Sequence, residues 1–234
     1  MRTVREKIIV ALDYDDPERA LEVARSLAGR VGWMKVGLTL YAMGGRAVVE
    51  ELKRLGYRVF VDLKLHDIPH QVAGAVRALA HVGADMLTVH ASGGAAMLAA
   101  AAQAAAAAKT GGVRPSIVAV TVLTSMDAAG LAAVGVARPP AEQVELLATL
   151  ARDNGCDGVV CAPSEARAMR ALLGPDALVV TPGVRPSWAA ADDQARIATP
   201  EAALGSGASH LVIGRPITAA PDPVAALERI VEGE

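Results

Sequence analysis

Eight short apolar runs, alternating with helical segments along 234 residues, predict an α/β protein whose strands close into a (β/α)8 TIM barrel. The runs recur roughly every 25 to 30 residues, and most of them are apolar on both faces, as in a parallel sheet covered by helices. No linker or change of composition interrupts the pattern. We therefore expect one barrel domain over residues 1–234, with a doubly wound open sheet as the alternative.

The eight runs are rich in β-branched residues, which favour strands. We expect strands at residues 8–12, 34–36, 59–63, 86–90, 117–123, 158–161, 178–181 and 211–213. Three of the intervening helices begin with a capping residue followed by a residue suited to the first turn. These pairs are Asp16 with Pro17, Ser164 with Glu165, and Thr199 with Pro200. Helix starts therefore fall between strands, as a barrel requires.

The composition argues against several classes of partner. A net charge of −2 provides no basic field, so we expect no nucleic-acid partner. The two cysteines, Cys156 and Cys161, are too few for a disulfide framework and indicate buried thiols in a reducing compartment. Residues 8–12 are too short for the core of a signal peptide, and the alanine-rich stretch 95–108 is better suited to an ordinary helix than to a membrane span. We expect a cytoplasmic protein with no membrane partner.

In such a barrel the active site forms where the carboxyl ends of the strands meet. Most of the residues suited to ligand binding fall at that end. They are Asp13, Lys35, Asp62, Lys64, His90, Thr124, Pro182, Gly183, Gly214 and Arg215. Several charges around one cavity carry a desolvation cost that a purely structural barrel has little reason to bear. The remaining histidines, His81 and His210, are expected at the surface or at helix ends.

A lysine between carboxylates ends the third predicted strand. Asp62 and Lys64 lie two residues apart, so a regular strand would point both side chains to the same face, roughly 6.5 to 7 Å apart. Asp67 falls in the loop beyond. Carboxylates nearby favour the charged form of an amine, so Lys64 could deliver a proton to a reaction centre. An ordinary ion pair at a solvated strand end is the alternative.

Two reactions fit this centre. In the first, a substrate carboxylate is forced close to Asp62 or Asp67, and Lys64 stabilises and then protonates the carbanion left by loss of CO₂. In the second, Lys64 or Lys35 forms a Schiff base, as in an aldolase. A Schiff-base lysine needs a lowered pKa, and neighbouring carboxylates act in the opposite direction. The first reaction is therefore favoured.

The last two predicted strands each lead into a loop that pairs glycine with arginine. The segments TPGVR at 181–185 and IGRP at 213–216 combine accessible backbone N–H groups with a guanidinium that can bind phosphate oxygens through two hydrogen bonds. Loops after strands 7 and 8 are common phosphate sites in barrels. Gln194, in a polar stretch after the seventh strand, could close over the same group. We expect a phosphorylated small molecule, although two ordinary turns are the alternative.

Six motifs in order along nearly the whole chain resemble those of the orotidine 5'-phosphate decarboxylase family. They are IVALD at 9–13, KVG at 35–37, DLKLHDIP at 62–69, TVLTSM at 121–126, TPGVR at 181–185 and IGRP at 213–216. The resemblance implies a (β/α)8 barrel homodimer with active sites at its interface. It also implies conversion of orotidine 5'-phosphate to UMP and CO₂ in pyrimidine biosynthesis, with no metal and no organic cofactor.

The resemblance also implies roles for individual residues. Lys64 would be the proton donor, and Lys35, Asp62 and Asp67 would complete the charged array. Asp13 with Lys35 would hold the ribose and Thr124 would contact the pyrimidine, while Asp67 and Ile68 would reach into the partner's site. The phosphate would be held by the seventh and eighth loops, through Pro182, Arg185, Gln194, Gly214 and Arg215.

This chain departs from the family pattern at His70-Gln71, where a small polar residue and a threonine are usual. The threonine's contact across the dimer is therefore in question here, although the Gln71 amide could replace it. Related decarboxylases and synthases that act on ketose phosphates are expected to have a magnesium site, with a glutamate at the position of Lys35. A lysine at that position argues against the metal. A nucleotide-binding regulator without catalysis is a third interpretation, and the intact Lys64, Asp62 and Asp67 argue against it.

Overall fold

Eight parallel strands close into a barrel, in chain order, in a computed structural model that describes residues 4–108, 114–188 and 198–233. The strands are β1 Ile8–Leu12, β2 Trp33–Gly37, β3 Arg58–Leu65, β4 Met86–His90, β5 Ser116–Val120, β6 Gly158–Val160, β7 Leu178–Thr181 and β8 His210–Ile213. Strand β8 pairs with β1, so the ring has no free edge. The predicted (β/α)8 fold class is confirmed, and the open-sheet alternative is wrong.

Helices surround the barrel and connect successive strands. They are α1 Val4–Lys7, α2 Pro17–Ser26, α3 Leu38–Arg54, α4 Pro69–Val82, α5 Gly94–Ala107, α6 Ala128–Ala133, α7 Pro140–Asp153, α8 Ala166–Leu173, α9 Pro200–Gly205, α10 Arg215–Thr218 and α11 Pro223–Glu232. Two of the predicted N-caps are confirmed, because the side chains of Asp16 and Thr199 accept first-turn N–H groups of α2 and α9. In the described part of the chain, none of the helices combines the length and apolar character needed to cross a lipid bilayer.

Alternation along the strands divides the core into two layers. In β1, Ile8, Val10 and Leu12 pack outward against the helices, whereas Ile9 and Ala11 belong to the cluster inside the barrel. This period of two follows from the pleat of a strand. It also places Lys35, which alternates with outward-facing residues of β2, on the inner side. Sequence alone therefore directs the charged residues of β2 and β3 into the barrel.

The amino-terminal end of the barrel, called the floor below, repeats one hydrogen-bonding pattern. A polar residue immediately before β4, β6 and β8 accepts the backbone N–H of a residue in the preceding strand. The bonds run from Val59 to Asp85 at 2.7 Å, from Ile117 to Asp157 at 2.8 Å and from Val179 to Ser209 at 2.9 Å. Each side chain thus satisfies a donor that would otherwise be left without a partner at the sheet's end.

Two expectations about local structure are wrong. Ser164 is not a helix cap: Pro163–Glu165 form a 3₁₀ turn, and the Glu165 side chain accepts the backbone N–H of Ala162 at 2.8 Å. The fifth strand ends at Val120 instead of at residue 123. Val122 is buried in the loop that follows, so its apolar side chain reflects burial and not strand structure.

The prediction for His81 is confirmed, because it is exposed in the last turn of α4. The prediction for His210 is wrong. It begins β8, is 3% exposed and packs edge-on against Trp33, with ring centroids 5.5 Å apart. Of the two thiols, Cys161 is buried and Cys156 is only partly so. Burial raises the pKa of both, which makes them unreactive at neutral pH.

Candidate active site

A cavity of about 430 Å³ opens at the carboxyl end of the barrel, called the mouth below. Its size suits a small-molecule ligand such as a nucleotide. Ten of the predicted site residues line it. They are Asp13, Lys35, Asp62, Lys64, Thr124, Pro182, Gly183, Arg185, Gly214 and Arg215. The sequence thus located the residues of one cavity although they are spread over some 200 positions of the chain.

Four charged side chains of alternating sign form a row in this cavity. Lys35 Nζ lies 2.8 Å from Asp13 Oδ1 and 3.6 Å from Asp62 Oδ2. Lys64 Nζ donates to Asp62 Oδ1 at 2.9 Å. Each carboxylate is therefore next to an ammonium, and the row runs Asp13, Lys35, Asp62, Lys64. This arrangement keeps both lysines among opposite charges.

Glycine at the end of β2 makes room for the first pair of the row. A Cβ atom on Gly37 would lie 2.9 Å from Asp13 Oδ1 and 2.9 Å from Lys35 Nζ. These separations are shorter than ordinary contacts, so any larger residue would push the two groups apart. The sequence contains this signal as a glycine two residues after an inward-facing lysine.

The centre of the row is buried. The side chain of Lys35 is 9% exposed and that of Asp62 is 13% exposed. Burial by itself would raise the pKa of Asp62, but Lys35 and Lys64 outweigh it, helped by hydrogen bonds from Lys64 and Thr88, and hold that pKa below its ordinary value. Asp62 is therefore ionised at neutral pH and presents a negative charge to both lysines.

Lys64 has an unusual backbone conformation. Among the described residues it is the one non-glycine residue with a positive φ, at 53°. Such a conformation costs an ordinary residue about 1–2 kcal/mol, and strain of this kind clusters at functional sites. The regular strand predicted for Asp62 and Lys64 is therefore wrong, although the two side chains do meet. Strand β3 bulges here, and the bulge directs Lys64 into the cavity.

Thr88 is a member of the site that the sequence analysis missed. Its hydroxyl donates to Asp62 Oδ1 at 3.0 Å and accepts the backbone N–H of Lys64 at 2.8 Å. The available signal was a polar residue inside an apolar strand, two positions before His90 and on the same face. His90 itself does not line the cavity, and its ring lies against His66 with centroids 5.4 Å apart. Burial, aided by His66 and Lys64, lowers the pKa of His90, so it is neutral at pH 7.

The loops after β7 and β8 give the cavity a part suited to an anion. Arg185 is 6% exposed, and its backbone N–H donates to Ala198 O at 2.9 Å, which anchors the loop after β7. Arg215 follows Gly214 at the start of α10 and faces the same cavity. Two arginines that line the same cavity provide the charge that a phosphate needs. Gln194, predicted to close over the phosphate, lies outside the described residues.

Comparisons with known proteins identify the family of this chain. A family model described as "Orotidine 5'-phosphate decarboxylase / HUMPS family" matches residues 6–230. The chain is 52% identical over 225 residues to orotidine 5'-phosphate decarboxylase of Paramagnetospirillum magneticum, covering 95% of this chain and 96% of the relative. It is 53% identical over 229 residues to the decarboxylase of Moorella thermoacetica, covering 97% and 91%. This chain belongs to the orotidine 5'-phosphate decarboxylase / HUMPS family.

Solved structures give the same result. The crystal structure of orotidine 5'-phosphate decarboxylase from Lactobacillus acidophilus superposes with a TM-score of 0.86 at 39% identity, covering 97% of this chain and 98% of that one. Family membership and fold therefore agree over nearly the full described length. The roles of individual residues are a separate question.

Three predicted site residues lie outside the main cavity of this family member. Asp67, Ile68 and Gln71 are all exposed, and Ile68 is 63% exposed. With the residues that the structure describes, Asp67 forms no ion pair, and its carboxylate accepts the backbone N–H of Ile68. Asp67 and Gln71 line a neighbouring depression, which Lys64 also lines. A role for them in the site thus stays a prediction.

Proposed function

We propose that this chain decarboxylates orotidine 5'-phosphate to UMP and CO₂, as a step of pyrimidine biosynthesis in the cytoplasm. Its family and its relatives of about half identical sequence support the reaction. The observation that carries the proposal is the row of alternating charge, which is buried at its centre and ends in Lys64 at the cavity wall. We extend the proposal to the whole chain, residues 1–234, acting as one barrel domain.

The proposed mechanism uses the charge row directly. The substrate carboxylate at C6 of the pyrimidine is held near Asp62, and the repulsion between two anions is relieved when the C6–carboxyl bond breaks and CO₂ departs. The electron pair remains on C6, where the Lys64 ammonium stabilises it. Lys64 then donates a proton from Nζ to C6, which yields UMP.

Magnitudes support this role for Lys64. Opposite charges about 4 Å apart interact by about 4 kcal/mol at an effective dielectric constant near 20. An interaction of that size, made only in the transition state, accelerates a reaction roughly a thousandfold. Asp62 is held ionised beside Lys64, so a carboxylate fixes the position of the Nζ that donates the proton.

The other residues of the cavity would bind the rest of the nucleotide. Asp13 and Lys35 are assigned to the ribose hydroxyls, and Thr124 to the pyrimidine. The phosphate is assigned to the loops after β7 and β8, through Pro182, Arg185, Gly214 and Arg215. Gln194, predicted from the sequence, would join them. We propose that the reaction needs no metal and no organic cofactor. The magnesium-dependent relatives are expected to have a glutamate ligand at the position that Lys35 occupies in this chain.

We also propose a homodimer whose active sites lie at the interface. Exposed Asp67 and Gln71 line a depression that Lys64 also lines, and exposed Ile68 lines a second depression together with Asp67. All three lie outside the main cavity, where a second subunit could bring them to the partner's substrate. Mixing Lys64→Ala subunits with Asp67→Ala subunits is expected to regenerate one complete site in each heterodimer. Purified heterodimers without any activity would show that the site is not shared.

A direct assay tests the reaction. Loss of orotidine 5'-phosphate absorbance is followed with purified protein in the presence of EDTA, with Lys64→Ala as the inactive control. Turnover in EDTA supports a metal-independent decarboxylase. Absence of turnover, with or without Mg²⁺, ends the proposal and favours a non-catalytic nucleotide-binding protein.

The Schiff-base alternative has its own test. Borohydride added with a sugar phosphate should leave Lys64 and Lys35 unmodified, because an ammonium held by Asp62 is a poor nucleophile. A covalent adduct on either lysine, found by mass spectrometry, would favour an aldolase.

A further inference from the structure

Thr88 connects the two residues at the centre of the proposed chemistry. Its side chain is 1% exposed, and its hydroxyl lies between Asp62 Oδ1 and the backbone N–H of Lys64. A hydroxyl has one hydrogen to donate and lone pairs to accept, so both bonds form at once. Asp62 Oδ1 therefore accepts two hydrogen bonds, one from Thr88 Oγ1 and one from Lys64 Nζ.

The backbone around Lys64 lacks regular strand pairing at this point. Val61 pairs with Leu87 and Leu65 pairs with Val89, so three residues of β3 lie opposite the single residue Thr88. Within such a bulge the ladder does not satisfy every N–H group. The Thr88 side chain supplies the acceptor for the amide of Lys64, the residue with the left-handed φ of 53°.

We propose that Thr88 is a positioning residue, whose hydroxyl holds Lys64 in its left-handed conformation and orients Asp62 so that Lys64 Nζ stays against Asp62 Oδ1. The inference rests on the proposed function, because Lys64 is assigned as the proton donor there. Thr88 itself does not line the main cavity and acts through its two neighbours. Without the hydroxyl, the bulge can relax and the ammonium moves away from the reacting carbon.

The hydroxyl also affects the charge of Asp62. Its hydrogen bond is one of the contacts that hold the pKa of Asp62 below its ordinary value, against burial and together with Lys35 and Lys64. Among the described residues, His90 also interacts with this carboxylate and is neutral at pH 7, and Asp13 shares Lys35 with it. Loss of the hydroxyl therefore raises the pKa of Asp62 and moves the acid limb of the activity profile to higher pH.

The test compares Thr88→Val, which keeps the β-branched shape but removes the hydroxyl, with Thr88→Ser, which keeps the hydroxyl. Thr88→Val should lower kcat by roughly a hundredfold, the usual effect of displacing a catalytic group by about 1 Å, with KM within about twofold. The acid limb of the pH–activity profile of Thr88→Val should shift to higher pH. Thr88→Ser should keep kcat within about fivefold of the wild type and should keep the wild-type acid limb. Unchanged kcat in Thr88→Val, or an equal loss in Thr88→Ser, would overturn the proposal.

Crystal structures of the wild type and the Val variant separate this inference from the proposed function. Failure of the wild-type protein to decarboxylate orotidine 5'-phosphate would disprove the proposed function. The positioning role of Thr88 would then be tested by the φ of Lys64 and its contact with Asp62 in the two crystal structures. A Val variant in which Lys64 leaves its left-handed φ or its contact with Asp62 supports positioning. A Val variant that retains both overturns it.

Discussion

Carboxylates at the two ends of the barrel have different partners. At the floor, Asp85 and Asp157 each accept a backbone N–H from a neighbouring strand, besides pairing with Lys53 and Arg114. At the mouth, Asp62 accepts no backbone N–H in the described structure, and its partners are two lysines and a threonine hydroxyl.

This difference separates stability from chemistry. A floor carboxylate completes the hydrogen bonding of a strand, so its removal leaves a backbone donor without a partner and costs folding free energy. A mouth carboxylate holds charge beside an open cavity, and its removal changes what can react there. We therefore expect floor substitutions to reduce stability and mouth substitutions to reduce activity.

The largest expected effect is that of Lys64→Ala, compared with Lys53→Ala at the floor. Removing Lys64 eliminates both the proton donor and the stabilising charge, so kcat should fall by about 10⁴-fold or more, as measured by loss of substrate absorbance. Lys53→Ala removes an ion pair of similar length and should leave kcat within about twofold. Equal losses in the two variants would contradict the distinction between mouth and floor.

Asp62→Asn should lower kcat by about 10² to 10³-fold, because a neutral amide cannot hold the two lysines as a carboxylate does. The matched floor variant Asp157→Asn should keep wild-type kcat. Steady-state kinetics on both proteins make the comparison, and a catalytic defect in Asp157→Asn would contradict it.

The Asp62→Asn variant should also differ from the wild type in how its stability depends on pH. The folded pKa of Asp62 is lowered, so ionised Asp62 stabilises the fold above its unfolded pKa of about 3.9, and this stabilisation is lost as the pH falls through the folded value. Denaturant unfolding should therefore show a smaller loss of stability below pH 3.9 for Asp62→Asn than for the wild type. Parallel curves would show that the pKa of Asp62 is not lowered in the folded state.

Asp85→Ala should destabilise the protein by about 2 kcal/mol, since the Val59 N–H and Lys53 lose their acceptor. Chemical denaturation measures the change, and kcat of the folded enzyme should be unaffected. Asp85→Asn should recover part of the loss through its amide oxygen. Asp176→Ala, at an exposed position, is the control and should change the free energy of unfolding by less than about 0.5 kcal/mol.

Ser209→Ala should have the smallest effect, about 1 kcal/mol, because it removes one neutral acceptor from the Val179 N–H. The control is Ser206→Ala, in the turn just before. If Ser209→Ala loses no more free energy of unfolding than its control, then a hydroxyl at the floor does not stabilise the fold as the two carboxylates do.

Local patterns in the sequence were enough to predict the barrel and most of its cavity. Short apolar runs that alternate with helical segments identify the strands, and residues at the strand ends must converge in any closed parallel barrel. For that reason Asp13, Lys35, Asp62 and Arg185 could be assigned to one cavity without a structure. Each polar residue that accepts a strand N–H at the floor lies two positions after a glycine, as in Gly83-Ala84-Asp85. The sequence analysis did not use this spacing to predict the floor hydrogen bonds.

Tertiary structure alone decided how the charges meet. The bulge that turns Lys64 into a left-handed conformation depends on the register between β3 and β4, and the Thr88 hydroxyl that satisfies it lies 24 residues away in the chain. Such pairings arise from packing between strands and leave no local periodicity in the sequence. The sequence by itself determined which residues surround the cavity, because strand direction follows from local pattern. Distances, burial and backbone strain depended on contacts between distant segments.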